Sequence, residues 1–263
     1  MDLGLKDARV FVAASSSGLG AAAARRFSLE GADVAINARD AARLETTAAA
    51  IRQDSGRKVI AVPGDVTDSA AVYAMIERAA SELGGLDILV TNAGGPPSGS
   101  FERVPPEAWE AAFRLNLMSA VHLIRAALPH LRQSRRAAIL TVTSTSVKEP
   151  IDNLILSNSL RMSVIGLTKS LARELGPQGI RVNSILPGWT RTERVTYLME
   201  SQAEVDHITV EEAFARRAAG SPLGRMGEPE EFAHVAVFLC SPAASYVHGV
   251  MLPVDGGSIR ASL

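Results

Sequence analysis

The sequence predicts an α/β fold: a doubly wound parallel sheet of seven strands with helices on both faces. Three observations carry that expectation. Short apolar, β-branched runs recur at 9–14, 33–38, 58–63, 88–92, 138–144, 181–186 and 249–253. Segments with helical period separate them, so each strand is followed by a crossover that returns the chain to a parallel neighbour. No composition break, linker or internal repeat divides the 263 residues, so one domain, 1–263, is expected, with ligands at the carboxyl ends of the strands.

The first run passes through Ala13-Ala14-Ser15-Ser16-Ser17-Gly18-Leu19-Gly20 into an alanine-rich segment with Ala22, Arg25, Arg26 and Leu29 at helical spacing. Ala14, Gly18 and Gly20 are small enough to let the backbone turn sharply and to let a diphosphate approach the N–H groups of a helix N-terminus. Glycine in such a turn also serves plain chain reversal, and Ala14 stands where dinucleotide fingerprints begin with Gly. Later helices carry their own start signals. Thr67-Asp68-Ser69 offers capping oxygens before 70–83, Pro105-Pro106-Glu107 opens a long segment reaching Leu131, and Glu228-Pro229-Glu230-Glu231 puts proline and acids in a first turn. Thr209 and Glu212 have capping-box spacing. After the sixth strand the chain runs from Trp189 to Gly224 through a mostly polar excursion with helical stretches. An insertion of that length at a strand's carboxyl end reads as a substrate lid, or as a surface helix pair.

Bulk composition narrows the function classes. Hydrophobic residues at 47% suffice to cover both faces of a sheet, and a net charge of −1 gives no electrostatic reason to expect nucleic acid or an anionic membrane. The single cysteine, Cys240, lies in an apolar run and is expected to pack in the core, so no disulfide forms within the chain. The first nine residues scatter charges among apolar ones, which fits neither a signal peptide nor a membrane span; a cytoplasmic protein is expected.

With the strand order in hand, the motifs resemble the short-chain dehydrogenase/reductase family from Leu5 to about Gly257. The family's Thr-Gly-x-x-x-Gly-x-Gly turn is matched by 13–20, with both opening positions changed to Ala. Its Asn-Ala-Gly stands as Asn92-Ala93-Gly94, its adenine-contacting pair as Asp65-Val66, and its helix asparagine as Asn116. Its catalytic serine matches Ser144 at the end of the fifth strand, and Pro187-Gly188-x-x-x-Thr192 and Pro253-Val254-Asp255-Gly256-Gly257 follow in register. The resemblance implies a Rossmann fold that binds a nicotinamide dinucleotide through Ala14, Ser16, Ser17, Gly18, Leu19, Gly20, Arg39, Asp65, Val66, Asn92, Ala93, Gly94, Arg161, Pro187, Gly188 and Thr192. Read singly, Asn92 and Asn116 bridge backbone groups and Asp65 caps a strand end.

The second strand ends Asn37-Ala38-Arg39, with Ala38 where an acid for the ribose hydroxyl would stand. A guanidinium beside a missing carboxylate selects the phosphorylated cofactor, so NADP is expected, with NAD open. Arg39 also reads as a solvated arginine, or as a partner of Asp40.

The catalytic motif departs from the family. Its Tyr-x-x-x-Lys pair places the tyrosine thirteen residues after the serine, which here lands on Ser157, with Arg161 in place of the lysine. A phenol with a pKa near 10 can shuttle a proton to an alkoxide, whereas an aliphatic hydroxyl is a far weaker acid. Ser157 can still hydrogen-bond a substrate oxygen. Arg161, one turn along a helix expected over about 153–175, keeps the positive charge and can donate to ribose hydroxyls, but with a pKa above about 12 it resists joining a proton relay. An arginine turned outward or paired with an acid is the competing reading. Tyr197 in the lid, Lys148 and water are the candidate substitutes for the missing acid.

Two functions fit these residues. One is an NADP-dependent oxidoreductase of carbonyls or alcohols, similar to 3-oxoacyl-carrier-protein reductases, in which Ser144, Asn116, Ser157 and Arg161 form the catalytic group. The other is a dinucleotide-binding sensor or assembly protein with little turnover. The lid offers Val195, Leu198 and Met199 for an apolar pocket and Arg191 or Arg194 for an anion. The segments 107–131 and 153–175 resemble helices that pair into dimers and tetramers in the family. Small residues Ser159, Ser163, Gly166 and Ser170 recur along one side of the second, for packing against another copy or against the sheet.

Overall fold

The computed structural model describes residues 2–261. Strands β1 (Arg9–Val12), β2 (Asp33–Ala38), β3 (Val59–Pro63), β4 (Ile88–Thr91), β5 (Ala138–Val142), β6 (Arg181–Pro187) and β7 (Met251–Val254) form one sheet in the order β3-β2-β1-β4-β5-β6-β7. Every neighbouring pair is parallel. The chain winds outward from β1 to β3 and then in the opposite direction from β4 to β7, so a crevice opens beyond the carboxyl ends of β1 and β4.

Helices α1 (Gly18–Leu29), α2 (Ala41–Ser55) and α9 (Pro229–Cys240) cover one face, and α3 (Ser69–Leu83), α5 (Ser119–Leu131) and α6 (Ile155–Leu175) the other. Residue alternation in β1 shows how. Val10 and Val12 pack with Phe27, Phe232 and Val237 on one side, while Phe11 packs with Ile76, Leu123 and Leu131 on the other. Phe11, Phe27 and Phe232 are fully buried. Burial of such a side chain stabilises by about 1.5–3 kcal/mol, so runs apolar on both faces follow from the double layer of helices. At the opposite end of the strands, Asp87 is 2% exposed and accepts from Arg9 Nε at 2.9 Å and Nη2 at 2.7 Å and from the Ser134 hydroxyl at 2.6 Å.

Some boundaries differ from expectation. The segment expected as one helix to Leu131 is α4 (Pro106–Phe113), a π-helical turn over Arg114–Met118, and α5. The π turn carries Asn116, 6% exposed, toward the crevice side of β4; such bulges re-aim side chains at functional sites. α6 starts at Ile155, after Asn153 at φ 58°. β7 starts at Met251, after Gly249 has turned at φ 68°. The 189–224 excursion folds into α7 (Glu193–Asp206) and α8 (Val210–Ala219), which share an apolar cluster of Val195, Met199, Ala203 and Ala213. Asp68 caps α3, and Thr209 and Glu212 form the expected capping box. Cys240 is buried, and desolvation pushes its thiol up to about 12.

Candidate active site

The turn after β1 is held by hydrogen bonds to the backbone of β1 and β2. The Ser15 hydroxyl donates to Val12 O at 2.7 Å and accepts from Asn37 N at 3.0 Å. The turn needs φ of 47° at Ala14 and 55° at Gly18. Asn92, from the end of β4, donates to Ala14 O at 3.1 Å, so it does bridge backbone groups, and it does so within the crevice. A Cβ on Gly20 would lie 2.3 Å from Ala14 O. The Ser17 N-cap makes no side-chain cap, which leaves the first N–H groups of α1 facing the crevice. This bare helix terminus fits a dinucleotide diphosphate.

The crevice holds a cavity of about 310 Å³. Ala14, Ser17, Gly18, Leu19 and Gly20 form one wall, and Asn92, Ala93 and Gly94 follow from β4. Ser144 lies just after β5 and Ser157 and Arg161 on α6, while Pro187 ends β6 and Gly188 and Thr192 follow it. The lid contributes Arg194, Val195 and Leu198, whereas Met199 is buried between the lid helices.

Other expected binding residues lie elsewhere. Ser16 faces α2, its carbonyl accepting from the Thr47 hydroxyl at 2.9 Å. Asp65 accepts from Thr67 N at 2.8 Å and its hydroxyl at 2.9 Å, the strand-end cap of the plainer reading. Val66 is buried in the apolar layer on the α3 face. Arg39 is exposed at the end of β2, and among the described residues no acid pairs with it. Asp40 instead caps α2, accepting from Arg43 N at 3.0 Å. Asn116 lines a cavity of about 10 Å³ beneath the main one, together with Asn92 and Arg161. Its Nδ2 lies 3.4 Å from Gly94 O, and its Oδ1 is buried with no protein partner.

The hydroxyl groups cluster. Ser144 Oγ accepts from Ser146 N at 3.1 Å, and Ser157, 7% exposed, has its Oγ 3.4 Å from that of Ser146. Arg161 does not turn outward. Its Nη1 donates to Thr143 O at 3.1 Å and reaches Val142 O at 3.4 Å, and no carboxylate pairs with it among the described residues. Desolvation, aided by the positive charge of Arg194, pulls the Arg161 guanidinium down to about 10.

The substitute acids expected from sequence do not reach the cavity. Tyr197 is 49% exposed with Arg194 stacked 5.4 Å from its ring centroid, and Lys148 is exposed on its loop. Tyr73 and Tyr246 are exposed elsewhere. Among the described residues the cavity wall thus carries hydroxyls, guanidinium groups and the Glu193 carboxylate, but neither a phenol nor an amine. Two contacts were not foreseen. Arg43 and Glu193, 150 residues apart, form an ion pair across the rim, for which no local sequence signal exists. The two lid arginines also separate: Arg191 pairs with Glu228 at 3.2 Å on the surface, while Arg194 enters the cavity wall.

A family model described as enoyl-(acyl carrier protein) reductase matches residues 13–258. D-beta-hydroxybutyrate dehydrogenase of Cupriavidus necator is 34% identical over 250 residues, covering 94% of this chain and 95% of that protein. L-sorbose reductase from Gluconobacter frateurii, crystallised with NADPH and L-sorbose, superposes with a TM-score of 0.93 at 32% identity, covering 99% of this chain and 100% of that one. An NADPH-bound short chain oxidoreductase from Pseudomonas aeruginosa PAO1, described as containing an atypical catalytic center, superposes with a TM-score of 0.89 at 34% identity, covering 98% and 99%. The glycine turn after β1, the doubly wound sheet and these matches along nearly the whole length together make the chain a member of the short-chain dehydrogenase/reductase family of oxidoreductases.

Proposed function

We propose that the chain is an NADP-dependent oxidoreductase that interconverts a carbonyl and an alcohol, 3-oxoacyl reductase-like in outline, with an altered proton-donor site. One observation carries this reading: a single cavity joins the bare N-terminus of α1 to the Ser144, Ser157 and Arg161 wall. Exposed Arg39 without an acid partner supports NADP over NAD, as do the NADPH complexes of solved relatives. Arg39, Asp65 and Val66, at the ends of β2 and β3, would serve the adenosine half. Ser16 would contribute through the backbone of the turn.

When bound, NADPH supplies the hydride, and a proton is needed to complete the alcohol. Ser144 and Ser157 donate hydrogen bonds to the substrate oxygen, and Asn116 holds the floor. Arg161 supplies positive charge beside the developing alkoxide and the ribose hydroxyls. The proton comes from water through the hydroxyls of Ser146 and Ser157. Residues 189–224 act as the lid over a single 1–263 domain.

The wall without a phenol or amine favours a second reading, a dinucleotide-binding sensor or assembly protein with little turnover. Measuring NADPH affinity, then its oxidation with a panel of ketones and 3-oxoacyl thioesters, separates the two. Tight binding with no turnover above background overturns the first.

A homo-oligomer, dimer or tetramer, goes with this reading. Ser159, Ser163, Gly166 and Ser170 lie on the exposed side of α6 and not against the sheet, beside Met162 at 48% exposure. A reducing, cytoplasmic setting fits the single buried thiol of Cys240. No helix among the described residues is long and apolar enough to cross a membrane.

A further inference from the structure

Charge in the cavity is unbalanced. Arg161 and Arg194 both line it, and among the described residues neither has a carboxylate within ion-pair distance. The one acid on the wall, Glu193, turns to Arg43 at the rim. Burial pulls the Arg194 guanidinium below its ordinary range, as it does that of Arg161, and the two are close enough for Arg194 to repel the charge on Arg161.

Arg194 is held in place without an acid. It donates to the Pro96 carbonyl and stacks on Tyr197, and a Cβ on Gly95 would fall 2.5 Å from its Nε. The bare backbone at Gly95 thus gives the guanidinium its seat along the loop after β4. A half-buried cation with no counter-charge is costly to maintain unless a ligand supplies the charge, and the planar guanidinium fork matches a carboxylate.

The cofactor's diphosphate is the other anion to consider. Its cradle is the turn at Gly18–Gly20, and the lid residue that faces it is Thr192, whose Cγ2 lies 3.5 Å from the position of a Cβ on Gly18. Arg194, two residues further on, packs against Gly95 and Pro96 on the other wall.

We propose that Arg194 recognises a carboxylate on the substrate, so that the protein acts on oxo acids and their hydroxy-acid counterparts. The carbonyl or hydroxyl sits at Ser144 and Ser157, and the carboxylate reaches Arg194. This rests on reading the cavity as a carbonyl and alcohol site.

The test compares short-chain oxo acids with their uncharged methyl esters as substrates for NADPH oxidation. It also measures calorimetric binding of the matching hydroxy acids to the protein–NADP complex, for wild type, Arg194→Gln and Arg194→Lys. Wild type is expected to favour acid over ester about tenfold or more in kcat/KM, mostly through KM. Arg194→Gln brings the ratio near one and abolishes hydroxy-acid binding, and Arg194→Lys restores part of both. Equal use of acid and ester by wild type overturns the proposal and leaves the oxidoreductase reading standing. A tenfold loss of NADPH affinity in Arg194→Gln also overturns it, because Arg194 would then serve the cofactor. Hydroxy-acid binding that depends on Arg194 without turnover of any carbonyl sustains the carboxylate site while the oxidoreductase reading fails. If no hydroxy acid binds wild type, the carboxylate site is wrong.

Discussion

The hydroxyls of Ser157 and Ser146 lie 3.4 Å apart, with Ser157 on the cavity wall at the position where the resemblance to the family places a phenol. Converting Ser157 to Tyr while Arg161 becomes Lys supplies both an acid of suitable strength and the cation that lowers its pKa. The double variant is expected to raise kcat for NADPH-dependent carbonyl reduction by about 100-fold, the lower range for a positioned general acid. Steady-state kinetics on a ketone panel checks this, and an unchanged rate shows that the acid is not what limits turnover.

Ala14 and Gly20 make opposite predictions within one turn. Gly20→Ala would force a Cβ to within 2.3 Å of Ala14 O, so the turn must open and NADPH binding is expected to fall at least tenfold. Ala14→Gly relieves a left-handed alanine, φ 47°, worth about 1–2 kcal/mol, against the larger entropy of glycine in the unfolded chain at about 0.4–1 kcal/mol. Stability is therefore expected to hold or rise slightly, as read by the urea midpoint.

At the base of β1 and β4, burial pushes the Asp87 carboxyl up, but hydrogen bonds from Arg9 and Ser134 outweigh it and hold it below the usual carboxylate range. A group whose folded pKa is depressed stabilises above its unfolded value, about 3.9 for Asp, and that stability is lost as pH falls through the folded value. Asp87→Asn is expected to destabilise by about 3 kcal/mol at neutral pH, since it leaves Arg9 without its partner. The gap between wild type and variant should narrow below about pH 4 in urea titrations.

Arg39 stands exposed at the end of β2, and Asp40 is occupied in capping α2. Arg39→Ala is expected to weaken NADPH about tenfold relative to NADH, the value of one charge-assisted contact. Fluorescence titration with each cofactor measures it.

A Cβ added at Gly166 meets nothing within 4 Å. Gly166→Glu should therefore leave the subunit folded while driving a dimer or tetramer toward monomer in sedimentation velocity. An oligomer unaffected by this change places the interface elsewhere than α6.

Much of the fold and part of the site were legible in the sequence because their signals are local. β-Branched runs mark strands that are buried on both faces, helical period marks their crossovers, and Thr67–Ser69 and Thr209–Glu212 carry capping oxygens at fixed spacing. The small residues at 14, 18 and 20 follow from a turn that needs positive φ at Ala14 and Gly18 and leaves no room for a Cβ at Gly20, and Ser157 and Arg161 follow from counting along one chain. Breaks within a segment were less visible. The π turn at Asn116 depends on how α4 and α5 meet neighbouring elements, and no periodicity announces it.

The sequence by itself determined the α/β class, the alternation of strands and helices that makes a doubly wound parallel sheet, the turn of small residues after the first strand, and Ser157 and Arg161 at the positions where the resemblance expects tyrosine and lysine. Only the tertiary structure decided which of those residues share a cavity. It set Asp65 and Val66 apart, sent Tyr197 and Lys148 to the surface, paired Arg43 with Glu193, and chose Arg194 over Arg191 for the interior. The physical reason is that these outcomes depend on where crossovers bring distant segments together, and on which charges the packed chain desolvates without supplying a partner.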